Sequence, residues 1–233
     1  MSVATGADRP VPERSVIVTV GEGLLRLTPP GSARLPGAHA LQVHVGGAEA
    51  NVAAGLATLG VPARWFSRVA ANPTGDALLR PLTALGVDVR DVVRAPGRTG
   101  LVLVEDGAGV RPTRVTYDRA DSTFTQLHPS DLGEARLERL LGDAAWLHLT
   151  GIDLTVADAP LHALQVLWDD AGRRGVRRSF DVNLRSTLPD AGRLAERAAP
   201  YLAQADLVFL AERDARSLSF VGAGPAGDEE EPH

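Results

Sequence analysis

Short polar or glycine-containing segments directly follow several stretches of the chain that have the pattern of buried strands. Glycine in such a place permits a turn or a close approach to the backbone, while asparagine and glutamate offer hydrogen bonds or charge. These segments are therefore the candidates for binding a small polar ligand. They are Gly21-Glu22, Gly46-Gly47, Gly151, Asn183 and Glu212.

Each of these segments also has a structural explanation. On spacing alone, Gly46-Gly47 is typical of a turn between a strand and a helix. An asparagine at the position of Asn183 is frequently a turn former, and Glu212 suits the negative charge favoured at a helix N-terminus. The spacing of residues therefore does not decide between ligand binding and local structure.

The residue types that the chain lacks exclude several kinds of chemistry. Absence of cysteine removes disulfides, thiolate metal sites and cysteine nucleophiles. All 24 basic side chains are arginine, so there is no Walker-A lysine and no lysine for a Schiff base. The histidines do not show zinc-site spacing, and no serine-hydrolase or aspartate-dyad spacing stands out, so we predict no metal site.

Charge and hydropathy indicate the kind of partner. The net charge of −5 and the scattered arginines favour a small molecule over a nucleic acid. No apolar run approaches the roughly 20 residues needed to cross a bilayer, and residues 1–13 lack the apolar core of a signal peptide. We therefore expect a cytoplasmic protein without a membrane partner.

The elements that must position the candidate residues alternate between strands and helices. This order predicts an α/β fold with a largely parallel sheet flanked by helices, in which ligands bind beyond the carboxyl ends of the strands. The predicted strands cover 15–20, 64–69, 87–93, 146–149, 179–182 and 207–210, and the predicted helices cover 48–59, 75–85, 130–141, 158–173 and 191–203.

The middle of the chain has a different pattern. Two β-type runs, 99–105 and 113–117, are joined by a glycine-rich hairpin turn and, with residues 40–45, predict a small antiparallel sheet. Ser130 is the expected N-cap of its helix, and Pro81 is expected to kink its helix or to mark a late start. We predict a flexible leader over 1–14, one domain over 15–220 with lid strands near 37–45 and 99–118, and a disordered tail over 221–233.

The run from Val45 to Ala53 reads VGGAEANVA and resembles the first signature of the ribokinase/PfkB family of carbohydrate kinases. The resemblance covers about residues 16–220 and is strongest to the 2-keto-3-deoxygluconate kinase branch. It implies a ribokinase-like fold, with Gly46 and Gly47 letting a sugar approach the backbone and Asn51 bonding its hydroxyls. The whole run favours a sugar site over a simple turn.

Three further runs are similar to motifs of the same family. The run YDRADS over 117–122 implies that Tyr117 and Arg119 meet the carboxylate of a sugar acid, since the arginine fork pairs with carboxylates bidentately. The run FDVNLR over 180–185 implies that Asn183 and Arg185 hold the sugar acid and the phosphates, although valine replaces the usual proline. The run over 205–212 implies a cofactor-binding role for Glu212, with alanine in place of the usual asparagine.

The final part of the family pattern has no match in the chain. Members of the family continue with a Gly-Ala-Gly-Asp helix, whose aspartate accepts the proton and whose amides steady the phosphoryl group, and with an adenine pocket. The resemblance thus implies ATP and Mg²⁺ for the intact family but does not extend these cofactors to this chain. The resemblance therefore implies that the C-terminal part of the fold is missing and that the chain has no catalytic residue.

Three functions remain open. The first is ATP-dependent phosphorylation of a sugar or of a 2-keto-3-deoxy sugar acid by a kinase that is incomplete in this chain. The second is a catalytically inactive, sugar-binding pseudokinase, and the third is a truncated fragment. The resemblance also implies that the β lid can pair two copies as a homodimer.

Overall fold

A computed structural model describes residues 15–184, 191–212 and 214–216 of the chain. Its helices are α1 (Ala48–Thr58), α2 (Pro73–Ala84), α3 (Glu134–Leu141), α4 (Asp158–Arg173) and α5 (Ala191–Gln204). Its strands are β1 (Val16–Val20), β2 (Leu24–Thr28), β3 (Gln42–Gly46), β4 (Ala63–Phe66), β5 (Arg68–Ala70), β6 (Val93–Ala95), β7 (Gly100–Glu105), β8 (Arg114–Asp118), β9 (Ala144–Thr150), β10 (Arg177–Asp181) and β11 (Leu207–Phe209).

The main sheet has five strands in the order β11-β10-β9-β1-β4, and all of its pairs are parallel. Because side chains alternate along a strand, each strand supplies one face to each helix layer. Helices α3, α4 and α5 cover the face that carries Val18, Leu147 and Phe180, and α1 packs on β1, β4 and β9 from the opposite side. The predicted α/β fold with a parallel sheet flanked by helices is confirmed.

An aromatic cluster packs helices α4 and α5 against strand β10 of the main sheet. The rings of Trp168 and Phe180 meet edge to face with centroids 6.2 Å apart, and Tyr201 stacks on Phe180 at 5.5 Å. Such pairs contribute about 0.5–1.5 kcal/mol beyond the area that they bury. The aromatic cluster therefore supports β10, the neighbour of β9, whose following turn borders the site described below.

The second sheet contains four strands in the order β3-β2-β7-β8. The hairpin of β7 and β8 and the pair of β2 and β3 are antiparallel, as expected for the lid, but β2 and β7 are parallel. Strand β2 was not predicted, because Gly21 and Gly23 suggested a turn, so the lid is a mixed sheet. Its first edge strand is shorter than the predicted 37–45, since residues 35–37 form a 3₁₀ turn.

Two helix starts differ from the prediction. Helix α2 begins at Pro73, because the side chain of Asn72 accepts hydrogen bonds from the Thr74 and Gly75 amides, so the late start suggested by Pro81 is wrong. Ser130 is not an N-cap. It lies inside a 3₁₀ turn that is capped by the ring of His128, and α3 begins afterwards at Glu134.

None of the helices in the described ranges combines the length and the apolar character that crossing a bilayer requires. The predicted leader over 1–14, the predicted tail over 221–233 and Arg185 lie outside the described residues. The domain boundaries therefore stay predictions.

Candidate functional site

A cavity of about 120 Å³ lies between the carboxyl end of the parallel sheet and the lid. Five segments meet there: the loop between β1 and β2, the start of α1, the end of β8, the residue after β8 and the turn after β9. The residues that line it are Glu22, Leu24, Gly47, Ala48, Glu49, Asn51, Tyr117, Arg119, Ile152 and Asp153. The parallel strands and the lid thus converge on one small polar space.

An arginine held by a buried glutamate forms the lid side of the cavity. The Nε of Arg119 donates to Oε2 of Glu22 at 2.7 Å, and its Nη2 contacts the same oxygen. Ser122 donates from Oγ to the other oxygen, Oε1, at 2.5 Å. Burial raises the pKa of Glu22, and the charge of Arg119 and these hydrogen bonds act against that rise. The guanidinium is thereby fixed in the cavity wall.

A pair of buried carboxyl groups forms the sheet side. Glu49 is in the first turn of α1, Asp153 is in the turn after β9, and each is only 1% exposed. Oδ1 of Asp153 accepts from the Glu22 amide at 3.4 Å and lies 3.8 Å from Nη2 of Arg119. Burial raises the pKa of both carboxyls, and the negative charge of Glu49 raises that of Asp153 further.

Two glycines make this close packing possible. An ideal Cβ on Gly21 would lie 2.0 Å from Oε2 of Glu49 and 2.3 Å from Oδ2 of Asp153, so any side chain there would displace the carboxyl pair. Gly47 has a φ of +128° and a Cβ there would lie 2.4 Å from the carbonyl oxygen of Glu22. The turn into α1 therefore requires glycine for conformation as well as for space.

The structure brings four of the predicted substrate-binding residues together. Gly47, Asn51, Tyr117 and Arg119 all line the cavity, and the guanidinium carbon of Arg119 lies 5.8 Å from the centre of the Tyr117 ring. These residues come from two regions about 70 positions apart, and the antiparallel pairing of β7 with β8 places the second region above the first.

The other predicted site residues lie elsewhere. Gly46 ends β3 and does not line the cavity. Asn183 is buried after β10 and has a φ of +42°, which is a turn conformation. Its backbone N–H donates to Oδ1 of Asp181 at 3.1 Å. Glu212 is exposed and pairs with Arg216 at 2.5 Å. Roles for these residues stay predictions.

Sequence reasoning missed three acidic residues of the site. Glu22 was noted only as part of a candidate loop, Glu49 only as a letter in a motif, and Asp153 not at all. The signal for Glu22 was available, because a carboxylate after a buried strand, between two glycines, is typical of a functional loop. The signal for Asp153 was weaker, since it follows Gly151-Ile152 without any recognisable motif.

A comparison with family models matches residues 16–229 to the model described as pfkB family carbohydrate kinase. Among curated proteins, the chain is similar to 2-dehydro-3-deoxygalactonokinase of Haloferax volcanii, with 32% identity over 202 residues. That alignment covers 87% of this chain and 62% of the relative. The chain therefore spans less than two thirds of the relative's length.

Solved structures give the same result. The chain is similar to 2-dehydro-3-deoxygluconokinase of Thermotoga maritima with a TM-score of 0.83 and 32% identity, covering 93% of this chain and 65% of that one. It is also similar to an uncharacterized sugar kinase of Pyrococcus horikoshii in complex with ATP, with a TM-score of 0.77 and 25% identity, covering 88% of this chain and 66% of that one.

Proposed function

This chain belongs to the pfkB family of carbohydrate kinases, and from that premise we propose that its cavity binds a 2-keto-3-deoxy sugar acid. The observation that carries the proposal is the fixed guanidinium of Arg119, which faces the cavity next to Asn51 and Tyr117. A sugar acid has a carboxylate at one end and hydroxyls along the rest. The cavity offers a cation for the first and polar side chains for the second.

The size of the cavity supports a small ligand. A volume of about 120 Å³ is below the roughly 300–1,000 Å³ of pockets that enclose a drug-sized ligand. That space accepts one end of a six-carbon acid and excludes a nucleotide. The names of the relatives in Haloferax volcanii and Thermotoga maritima, both kinases of 2-dehydro-3-deoxy sugar acids, favour the same substrate class.

For the whole protein we propose ATP-dependent phosphorylation of a hydroxyl of that acid. The ATP-bound structure of the Pyrococcus horikoshii relative supports ATP as the phosphoryl donor of the family. In the described part of this chain, no group of three or more His, Cys, Asp or Glu side chains fits a metal ion. Glu212, the one residue predicted to serve the cofactor, is paired with Arg216 on the surface, so we derive no step through Mg²⁺.

The residues of the cavity would orient the acceptor. Arg119 binds the carboxylate by charge, through guanidinium hydrogens that do not contact Glu22, while Glu22 and Ser122 prevent that guanidinium from rotating. Asn51 binds a hydroxyl, and the positive end of α1 faces the same space. The sugar acid is thus held by its carboxylate end with the remaining hydroxyls directed away from Arg119.

Ligand-dependent thermal unfolding of the 233-residue chain tests this function. We expect 2-keto-3-deoxygluconate to stabilise the chain by about 2.7 kcal/mol at a hundredfold excess over its Kd, and D-fructose to have little effect. Equal stabilisation by the neutral sugar, or none by either 2-keto-3-deoxygluconate or its galactonate epimer, would contradict the proposed substrate. In a coupled assay with ATP, turnover by these 233 residues would contradict the sequence prediction that they contain no catalytic residue.

We also propose that two copies associate through the lid. The sheet ends in the edge strands β3 and β8, and Val43 on β3 is 55% exposed. An exposed apolar edge strand is a template for pairing with another strand. Light scattering should give twice the mass of one chain, and Val43→Asp should halve it. Val110→Asp, at the fully exposed hairpin tip, is the control and should leave the mass unchanged. A monomeric wild type would refute the association.

A further inference from the structure

Two buried carboxyl oxygens on residues that line the cavity accept no hydrogen bond of ordinary geometry from the described residues. They are Oε1 of Glu49 and Oδ2 of Asp153, and both side chains are almost completely buried. Leaving a buried polar atom unpaired costs about 1–3 kcal/mol, so such atoms occur where a ligand or another group pairs with them. Asp153 and the Thr150 hydroxyl lie beside Glu49, so without a proton on the pair or a ligand in the cavity the two oxygens stay unpaired.

The two carboxyl groups are within hydrogen-bonding reach of each other. A Cβ placed on Gly21 would touch both, which shows how closely they converge. Two adjacent carboxylates in a dry space do not both ionise, because each negative charge disfavours the other. One proton therefore stays with the pair, and the burial that raises the pKa of each carboxyl acts in the same direction.

The charged groups around Glu49 and Asp153 also favour a single proton on the two carboxyl groups. Glu22 and Arg119 are the ionisable residues that face it from the other elements, and the hydroxyl of Thr150 lies beside Glu49. Nε and Nη2 of Arg119 contact Glu22, and Arg119 is the one cation among the residues that line the cavity. An anionic ligand could not enter next to two further full negative charges.

We propose that Glu49 and Asp153 share one proton and together bind a hydroxyl group of the sugar acid, an inference that rests on the proposed function. The protonated carboxyl donates a hydrogen bond to the hydroxyl oxygen, and the ionised carboxyl accepts the hydroxyl hydrogen. No atom is transferred, and the proton remains within the pair.

Substitutions of Glu49 that change its hydrogen-bonding groups but keep a side chain of similar size test the inference. Glu49→Gln carries a permanent donor, so we expect the affinity for 2-keto-3-deoxygluconate to stay within about threefold of the wild type near pH 6. The wild-type affinity should fall as the pH is raised toward about 9, whereas that of Glu49→Gln should not. Glu49→Leu removes the donor and should weaken binding at least about tenfold. Asp158→Asn, an exposed acid paired with Arg197, is the matched control and should behave as the wild type.

Stability without ligand provides a second measurement. Since the folded-state pKa of each carboxyl is raised, the stability from this pair is present below the ordinary carboxyl pKa and is lost as the pH rises through the folded value. Urea unfolding of the wild type should therefore show a fall in stability with rising pH that Glu49→Gln reduces. Identical pH profiles of stability in the two proteins would rule out the shared proton.

The binding results separate the two proposals. Wild-type affinity retained in Glu49→Leu would overturn the hydroxyl contact while leaving the sugar-acid function intact. Binding of D-fructose but of no sugar acid, lost in Glu49→Leu, would refute the proposed substrate and support the carboxyl pair. Binding of neither D-fructose nor a sugar acid by the wild type would overturn both.

Discussion

Replacing Arg119 by methionine should cost about 3–5 kcal/mol of unfolding free energy and should abolish binding of 2-keto-3-deoxygluconate. The guanidinium is the cation that contacts the nearly buried carboxylate of Glu22, and removal of one partner of a buried pair leaves an uncompensated charge. It also lies 3.8 Å from Asp153. Urea unfolding followed by tryptophan fluorescence measures the first effect, and calorimetric titration measures the second.

A double-mutant cycle separates the ion pair from general damage. Glu22→Gln in the Arg119→Met background should recover a substantial part of the lost stability, because the amide of glutamine carries no charge to be buried. Binding should not recover, since the cation for the substrate carboxylate is still missing. Arg94→Met is the control: Arg94 pairs with Asp76 on the surface and should change stability by less than about 1 kcal/mol. Additive losses in the cycle would show that the two side chains do not interact.

The two partners of this pair were not equally predictable from the sequence. Arg119 belongs to a recognisable run, but Glu22 is 97 positions away, in a loop whose sequence indicates a functional position without indicating its partner. Their contact depends on the register of the parallel pair of β2 and β7, which brings Leu24 opposite Gly100. Local sequence does not specify such a register, because it is set by the burial of whole strands.

The main sheet was more predictable than the lid. Strands such as β9 and β11 are short apolar runs that each follow a helix, and this alternation predicts parallel pairing. The prediction failed where short polar contacts determine the element. The side chain of His128 caps the turn that contains Ser130, so Ser130 is not the N-cap. Gly23 suggested a turn, but strand β2 begins directly after it, at Leu24. Individual side-chain contacts of this kind override propensity.

Gly47→Ala should cost at least about 3 kcal/mol of stability and should weaken sugar-acid binding strongly. Alanine rarely adopts the φ of +128° that this position requires, and strained backbone of this type costs about 1–3 kcal/mol. In addition, the new Cβ would lie 2.4 Å from the carbonyl oxygen of Glu22. Because that oxygen is backbone, relief requires movement of the loop that carries the partner of Arg119.

Gly46→Ala is the matched control, since it makes the same chemical change one residue earlier. A Cβ on Gly46 would meet its nearest atom at 3.6 Å, which is an ordinary contact, and Gly46 does not line the cavity. We expect a stability change of less than about 1 kcal/mol and unchanged affinity. Equal losses in both variants would contradict the geometric explanation and would favour the sequence prediction that both glycines serve the approach of the sugar. A loss confined to Gly47→Ala would mean that this glycine acts through Glu22, by holding the loop that fixes Arg119.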